Sequence, residues 1–228
     1  MSELRNNRFA VIMALFCALL LISNVAATKL IAFGPEWSPG GVPLLPLITD
    51  GGAFLFPLTY ILGDVLAEVY GFARTRLAIF LGFALAALMS LTFLVVDLAP
   101  ASADWPLDSA WHDVLGFVPR IVVASLLGYL AGQLLNAFVL VRVKARFGPQ
   151  RLWIRLLSSS VVGEAADTIV FCSVAYGALG AVFGGESISF AALLNYIAVG
   201  FVWKMLVETA LLPLTYRVIG AVKQAEEA

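Results

Sequence analysis

The sequence predicts an all-α integral membrane protein of six transmembrane helices, with both termini in the cytoplasm. Three observations lead there. Of 228 residues, 61% are apolar and only 13% are charged, with a mean hydropathy of +0.96; a soluble domain is about 45–50% apolar and about 25% charged. Six stretches are each long and apolar enough to cross a bilayer, which takes about 20 residues. Lysine and arginine collect on alternate connections between those stretches. The composition excludes a disordered chain, a disulfide-stapled secreted module and an ordinary cytosolic enzyme. A net charge of −1 leaves no basic excess to hold nucleic acid. Cys17 and Cys172 lie inside apolar runs and His112 is the sole histidine, so neither a disulfide framework nor a metal site is expected, and no cofactor is implied.

The predicted spans are 8–32, 52–70, 76–98, 117–141, 157–183 and 190–216. The first follows Arg5 and Arg8 and carries small residues at four-residue spacing, Ala10, Ala14 and Ala18; the fourth repeats that spacing at Gly128 and Gly132. Such spacing lets helices approach closely. The first span also mimics a signal peptide, but its apolar run is long for one. Glycine and proline inside the spans are tolerated in a membrane. The longest polar connection, 99–116, is too short for a soluble domain, so residues 1–228 are expected to form a single transmembrane domain.

Direction follows from the charges. One side holds Arg5, Arg8, Arg74, Arg76, Arg142, Lys144, Arg146, Arg151, Arg155, Arg217 and Lys223. The other holds Glu36, Asp50, Asp97, Asp104, Asp108, Asp113 and Glu186, with Arg120 as a borderline base. The basic side is placed in the cytoplasm. Trp37, Trp105, Trp111 and Trp153 fall near predicted span ends, where an aromatic belt would put them.

With the charges just assigned to either side set aside, seven charged residues remain inside the spans: Lys29, Asp64, Glu68, Glu164, Asp167, Lys204 and Glu208. Each costs about 2.5–3.5 kcal/mol at a helix centre, so they are expected to face one another, a cavity or a ligand. Asp64 and Glu68, Glu164 and Asp167, and Lys204 and Glu208 are each spaced to share a helix face. Asp64, Asp167 and Lys204 fall within about 5 Å of their helix midpoints, with Glu68, Glu164 and Glu208 roughly one turn nearer the cytoplasm. Three helices could thus supply two stacked layers of charge. Asn24 and Lys29, in the outer half of the first span, would close the site from above, or Lys29 would snorkel to the interface. Five carboxylates against two lysines do not balance; Arg74 and Arg155 offset part, and a proton or a donor-rich ligand must supply the rest. A structural ion-pair network is the competing reading. Tyr60, Phe171 and Trp203 accompany the charges and would offer rings to the faces of a flat ligand, unless they are core or belt residues.

The stretch from Phe56 to Gly71, which contains Pro57-Leu58-Thr59-Tyr60, Asp64, Glu68 and Tyr70, with Arg74 after it, resembles the queuosine precursor transporter family, part of a wider vitamin uptake transporter group. So does the stretch from Arg155 to Phe171, with Gly163-Glu164 and Asp167-Thr168, and so do Asn24 with Lys29 and Lys204 with Glu208 and Pro213. The four blocks occur in order over nearly the whole chain.

The resemblance implies a multi-pass importer in the bacterial inner (plasma) membrane, not an enzyme. Its cargo would be a 7-deazapurine (7-cyano- or 7-aminomethyl-7-deazaguanine, or queuine) salvaged for queuosine modification of transfer RNA. A deazaguanine presents an N–H and an exocyclic amine side by side, which one carboxylate can accept in a two-point hydrogen bond. Asp64, Glu68, Glu164 and Asp167 are suitable acceptors, and Lys204 could donate to the ring carbonyl. Proton coupling, facilitated diffusion and a homo-oligomer all stay open. One alternative is a substrate-binding subunit of an energy-coupling-factor importer; ATP would then need partner chains, because no phosphate-binding loop motif is present. Another is an intramembrane aspartyl protease using Asp64 and Asp167, opposed by the absent first glycine of the Gly-x-Gly-Asp pattern, where Ile61 stands.

Overall fold

A computed structural model describes residues 2–37, 45–147, 152–178 and 187–227. Seven α-helices and one two-stranded sheet are found among them: α1 (Ser2–Ala26), β1 (Leu30–Trp37), β2 (Leu45–Asp50), α2 (Phe56–Val65), α3 (Gly71–Asp97), α4 (Asp108–Leu115), α5 (Val118–Phe147), α6 (Leu152–Ala175) and α7 (Phe190–Glu227). They divide into two compact units. The first comprises Met1–Leu30, Asp50–Pro119 and Leu206–Ala228; the second comprises Ile31–Thr49 and Arg120–Met205.

The protein is mostly helical, as expected, but the sheet corrects the all-α prediction. The first span, expected to run to residue 32, ends at Ala26. The chain then tightens into a turn, with Thr28 and Lys29 bonding to the carbonyls of Val25 and Ala26 at 3.2 Å each. Beyond it, β1 contains Gly34 at φ +99 and then Pro35, neither of which suits a helix. The seven residues between the strands are too few for a parallel crossover, so the pair is antiparallel. β2 hands over to a 3-10 turn at Gly51–Phe54, which Asp50 caps by accepting from the Gly52 N–H at 2.7 Å. This turn sits hard against the end of α1: a Cβ on Gly52 would stand 2.9 Å from the Ser23 carbonyl oxygen.

In the first unit α2 continues into a π-helical turn at Leu66–Tyr70 and breaks at Gly71, whose φ of +78 and ψ of 171 only glycine adopts readily. Leu66 and Ala78 belong to one buried cluster with Phe9, Ile12, Met13 and Phe16 around it. Twelve residues of straight helix would separate them by about 18 Å, so the chain reverses at Gly71. α3 shows its small side to α1: Ala78, Gly82 and Ala86 are buried, a Cβ on Gly82 would lie 2.9 Å from Leu20 Cδ2, and the Cys17 thiol reaches the Ala78 carbonyl at 3.9 Å. Its large residues Phe80, Leu88, Leu91 and Val95 point outward. Small residues inside and large apolar ones outside is the arrangement of a lipid-facing helix. The Ala10, Ala14 and Ala18 ridge of α1 lies on an exposed face, while Cys17 makes the close approach.

By length and apolar composition four candidate crossing stretches are found among the described residues, where six spans were expected: Asn7–Ala26, Pro57–Asp97, which contains the reversal at Gly71, Asp108–Val143, which contains the turn between α4 and α5, and Phe190–Glu226. The connection expected at 99–116 contains α4, where Trp111 meets Trp105 and Phe93 edge-on and His112 Nδ1 lies 2.9 Å from Asp97 Oδ2. The fifth span, expected at 157–183, is helical over Leu152–Ala175; residues 179–183 lie outside the described set, as does the Trp153 side chain. α7 runs on to Glu227, with Pro213 inside it.

Candidate functional site

Within the second unit, α5 and α6 are held together by glycines. A Cβ on Gly128 would stand 2.9 Å from Asp167 Oδ1, one on Gly132 would stand 3.0 Å from Asp167 Cβ, and one on Gly163 would stand 2.9 Å from Asn136 Cβ. The close approach expected from the Gly128 and Gly132 spacing is thus made, and it seats Asp167 directly on the α5 backbone.

From α7, the Lys204 ammonium donates to Asp167 Oδ2 and lies 3.7 Å from Glu164 Oε2. All three side chains are largely shielded from solvent, with exposures of 16% for Lys204, 20% for Glu164 and 27% for Asp167. One ammonium between two carboxylates leaves the group one negative charge in excess when all three are ionised. That excess suits a ligand with adjacent N–H donors or a cation.

An aromatic wall stands beside it. Phe171, one turn along α6 from Asp167, meets Tyr176 edge-on at 6.5 Å, and Tyr176 meets Tyr196 of α7 at 5.3 Å. The C-terminal end of α6 is fixed by Arg120. Read from sequence as a borderline external base, it is buried and donates to the carbonyls of Val174 at 3.1 Å and Gly177 at 3.2 Å. Those carbonyls sit at the end of a helix, where a cation is favoured. Asn195, also unforeseen, accepts the Ile48 N–H of β2 at 3.1 Å.

The other predicted residues are arranged differently. Asp64, Glu68 and Glu208 belong to the first unit, whereas Glu164, Asp167 and Lys204 belong to the second. Asp64 is exposed near the end of α2. A π turn follows, and Asp64 and Glu68 stay near enough along it for their two carboxylates to repel, as expected of a shared face. Glu68 is exposed and lies 3.7 Å from Lys223. Arg74 stacks over Phe9 at 5.1 Å and over Tyr70 at 5.9 Å, while Tyr70 donates to Glu226 Oε1 at 2.8 Å. Asn24 is buried and bonds to its own helix at the Leu20 carbonyl. Lys29, expected inside a span, is an exposed residue of the turn after α1. Glu208 is half-buried on α7, and Trp203 is exposed. Tyr60 and Arg155 lie on α2 and α6, but their side chains are outside the described set.

The chain is similar to named transporters of three bacteria. A protein of Bacillus subtilis (strain 168) named "Probable queuosine precursor transporter" is 34% identical over 139 residues, or 59% of each chain. The "Queuosine precursor transporter" of Escherichia coli (strain K12) is 28% identical over 155 residues, covering 68% of this chain and 67% of that one. A "Probable queuosine precursor transporter" of Haemophilus influenzae is 31% identical over 125 residues, and the match spans 51% of its length. No solved structure matches the chain. The family described as "Putative vitamin uptake transporter" matches residues 50–218, a stretch that includes both Asp64 and the Glu164–Asp167–Lys204 group. The chain belongs to that vitamin uptake transporter family, a family of transporters rather than enzymes.

Proposed function

We propose that the protein imports queuosine precursors across the bacterial inner membrane, as one six-crossing domain with both termini in the cytoplasm. The supporting observation is the pairing of Lys204 with Asp167 and its approach to Glu164. A carboxylate here accepts the paired N–H and amine of a 7-deazaguanine, and Lys204 donates to its ring carbonyl. Phe171 offers its ring to one face of the base, and Trp203 is assigned on its place beside Lys204 in the sequence alone. Asp64, Glu68, Glu208, Asn24, Lys29, Tyr60, Arg74 and Arg155 are assigned to substrate on the family blocks alone.

Orientation rests on the segregated lysines and arginines. A membrane-impermeant thiol reagent should label a cysteine placed at position 104, in a Cys-free background, from outside the cell. Labelling only from the inside contradicts the topology.

The site is tested by substitution. Asp64→Asn, Glu164→Gln and Asp167→Asn should each abolish uptake of 7-cyano-7-deazaguanine while the protein still inserts. Loss of a buried charge-assisted bond costs about 2–5 kcal/mol, or about 30- to several-thousand-fold in affinity. Asp104→Asn is the control, since a loop charge is screened. Equal losses from the control and the site variants would contradict the assignment. The excess carboxylate charge gives a proton a place in the empty carrier, which makes import proton-linked; facilitated diffusion is the competing energetics.

A further inference from the structure

Thr168 is 2% exposed, and its hydroxyl has no hydrogen-bond partner among the described residues. Its behaviour is unlike that of other threonines in this protein. Thr59, Thr75 and Thr92 each donate to the carbonyl four residues back, at 3.3, 3.0 and 2.8 Å, and Thr28 donates to the Val25 carbonyl three residues back at 2.8 Å. A helical threonine ordinarily has that acceptor within reach. At Thr168 the corresponding acceptor would be the Glu164 carbonyl, and that bond is not made.

The position explains what the hydroxyl is near. Thr168 is four residues after Glu164 on α6, so the two share a face. On the facing helix, Gly200 stands four residues before Lys204, and a Cβ at Gly200 would lie 3.5 Å from Thr168 Cγ2. Glu164 with Lys204 and Thr168 with Gly200 are therefore successive rungs between α6 and α7. The second rung carries one methyl, one hydroxyl and no side chain from α7.

We propose that the Thr168 hydroxyl is a specificity-determining contact, reserved for a polar edge of the planar heterocycle held by the Glu164–Asp167–Lys204 group. This rests on the reading of that group as the substrate site. A buried hydroxyl without a partner is destabilising by itself. A bound base supplies the missing partner, a ring carbonyl or a ring N–H, because a hydroxyl both donates and accepts.

Opposite signs in two measurements test it. With the full-length protein in detergent, Thr168→Val keeps the shape and removes the hydroxyl. It should raise the melting temperature of the ligand-free protein, and weaken binding of 7-cyano-7-deazaguanine about tenfold, the worth of one hydrogen bond of about 1.4 kcal/mol. Thr168→Ser should restore binding. A Thr168→Val protein that melts lower or fails to fold shows a structural hydrogen bond and overturns the proposal, as does unchanged binding. Asp167→Asn, measured in parallel, separates the two claims. If it abolishes binding while Thr168→Val leaves binding unchanged, the threonine assignment fails alone. If Asp167→Asn also leaves binding intact, the site itself is misplaced.

Discussion

Lys204 is the residue on which the site turns. Its ammonium sits on an apolar helix and is held by two α6 carboxylates. Removing one member of a shielded ion pair leaves the others without compensation, at a cost of about 3–5 kcal/mol. Lys204→Met should therefore lower the stability of the protein in detergent by about that amount, read as a fall in the midpoint of chemical unfolding. A double variant, Lys204→Met with Asp167→Asn, should recover part of the loss, because it removes the pair together. An unchanged midpoint in the single variant would mean the pair contributes nothing. At this scale the sequence was informative about charge and silent about hydroxyls. Glu164, Asp167 and Lys204 stood out because apolar runs do not carry ions without reason. Thr168 did not, because a threonine in an apolar helix is ordinary. Arg120 was legible as a base near a span end, but not as a side chain reaching back to the carbonyls of Val174 and Gly177.

The elements position those residues through close backbone contact. Gly128, Gly132 and Gly163 bring α5 and α6 together, and Asp167 occupies the space that a Gly128 or Gly132 side chain would fill. Gly132→Leu should push α6 away and misplace Asp167, with at least a tenfold loss of uptake and only a modest change in membrane insertion, since leucine suits lipid as well as glycine does. Retained uptake would show that the seam has slack. The glycine spacing made this contact readable in advance. Two features were not readable. The apolar residues after Ala26 form β1, and a short apolar run looks the same whether it continues a helix or begins a strand. The π turn at Leu66–Tyr70 leaves no mark in hydropathy, nor does the break at Gly71 that follows it.

For the whole molecule, charge segregation and apolar length point to a membrane protein, and the family match carries that to a transporter. The fold supports it by turning large apolar side chains of α3 outward while its small ones face α1. Cargo and direction of transport belong to function, and one reconstitution addresses them together. The purified chain is placed alone in liposomes, without ATP, and given labelled 7-cyano-7-deazaguanine with and without an imposed pH gradient. The account predicts uptake by the wild-type chain, accumulation above the external level when the gradient is imposed, collapse of that accumulation with an uncoupler, and loss of all uptake in Asp167→Asn. Equilibration that ignores the gradient would leave the carboxylates as binding groups without coupling. No uptake by the wild-type chain, or uptake indifferent to Asp167→Asn, would contradict the central claim that this intramembrane group carries the base.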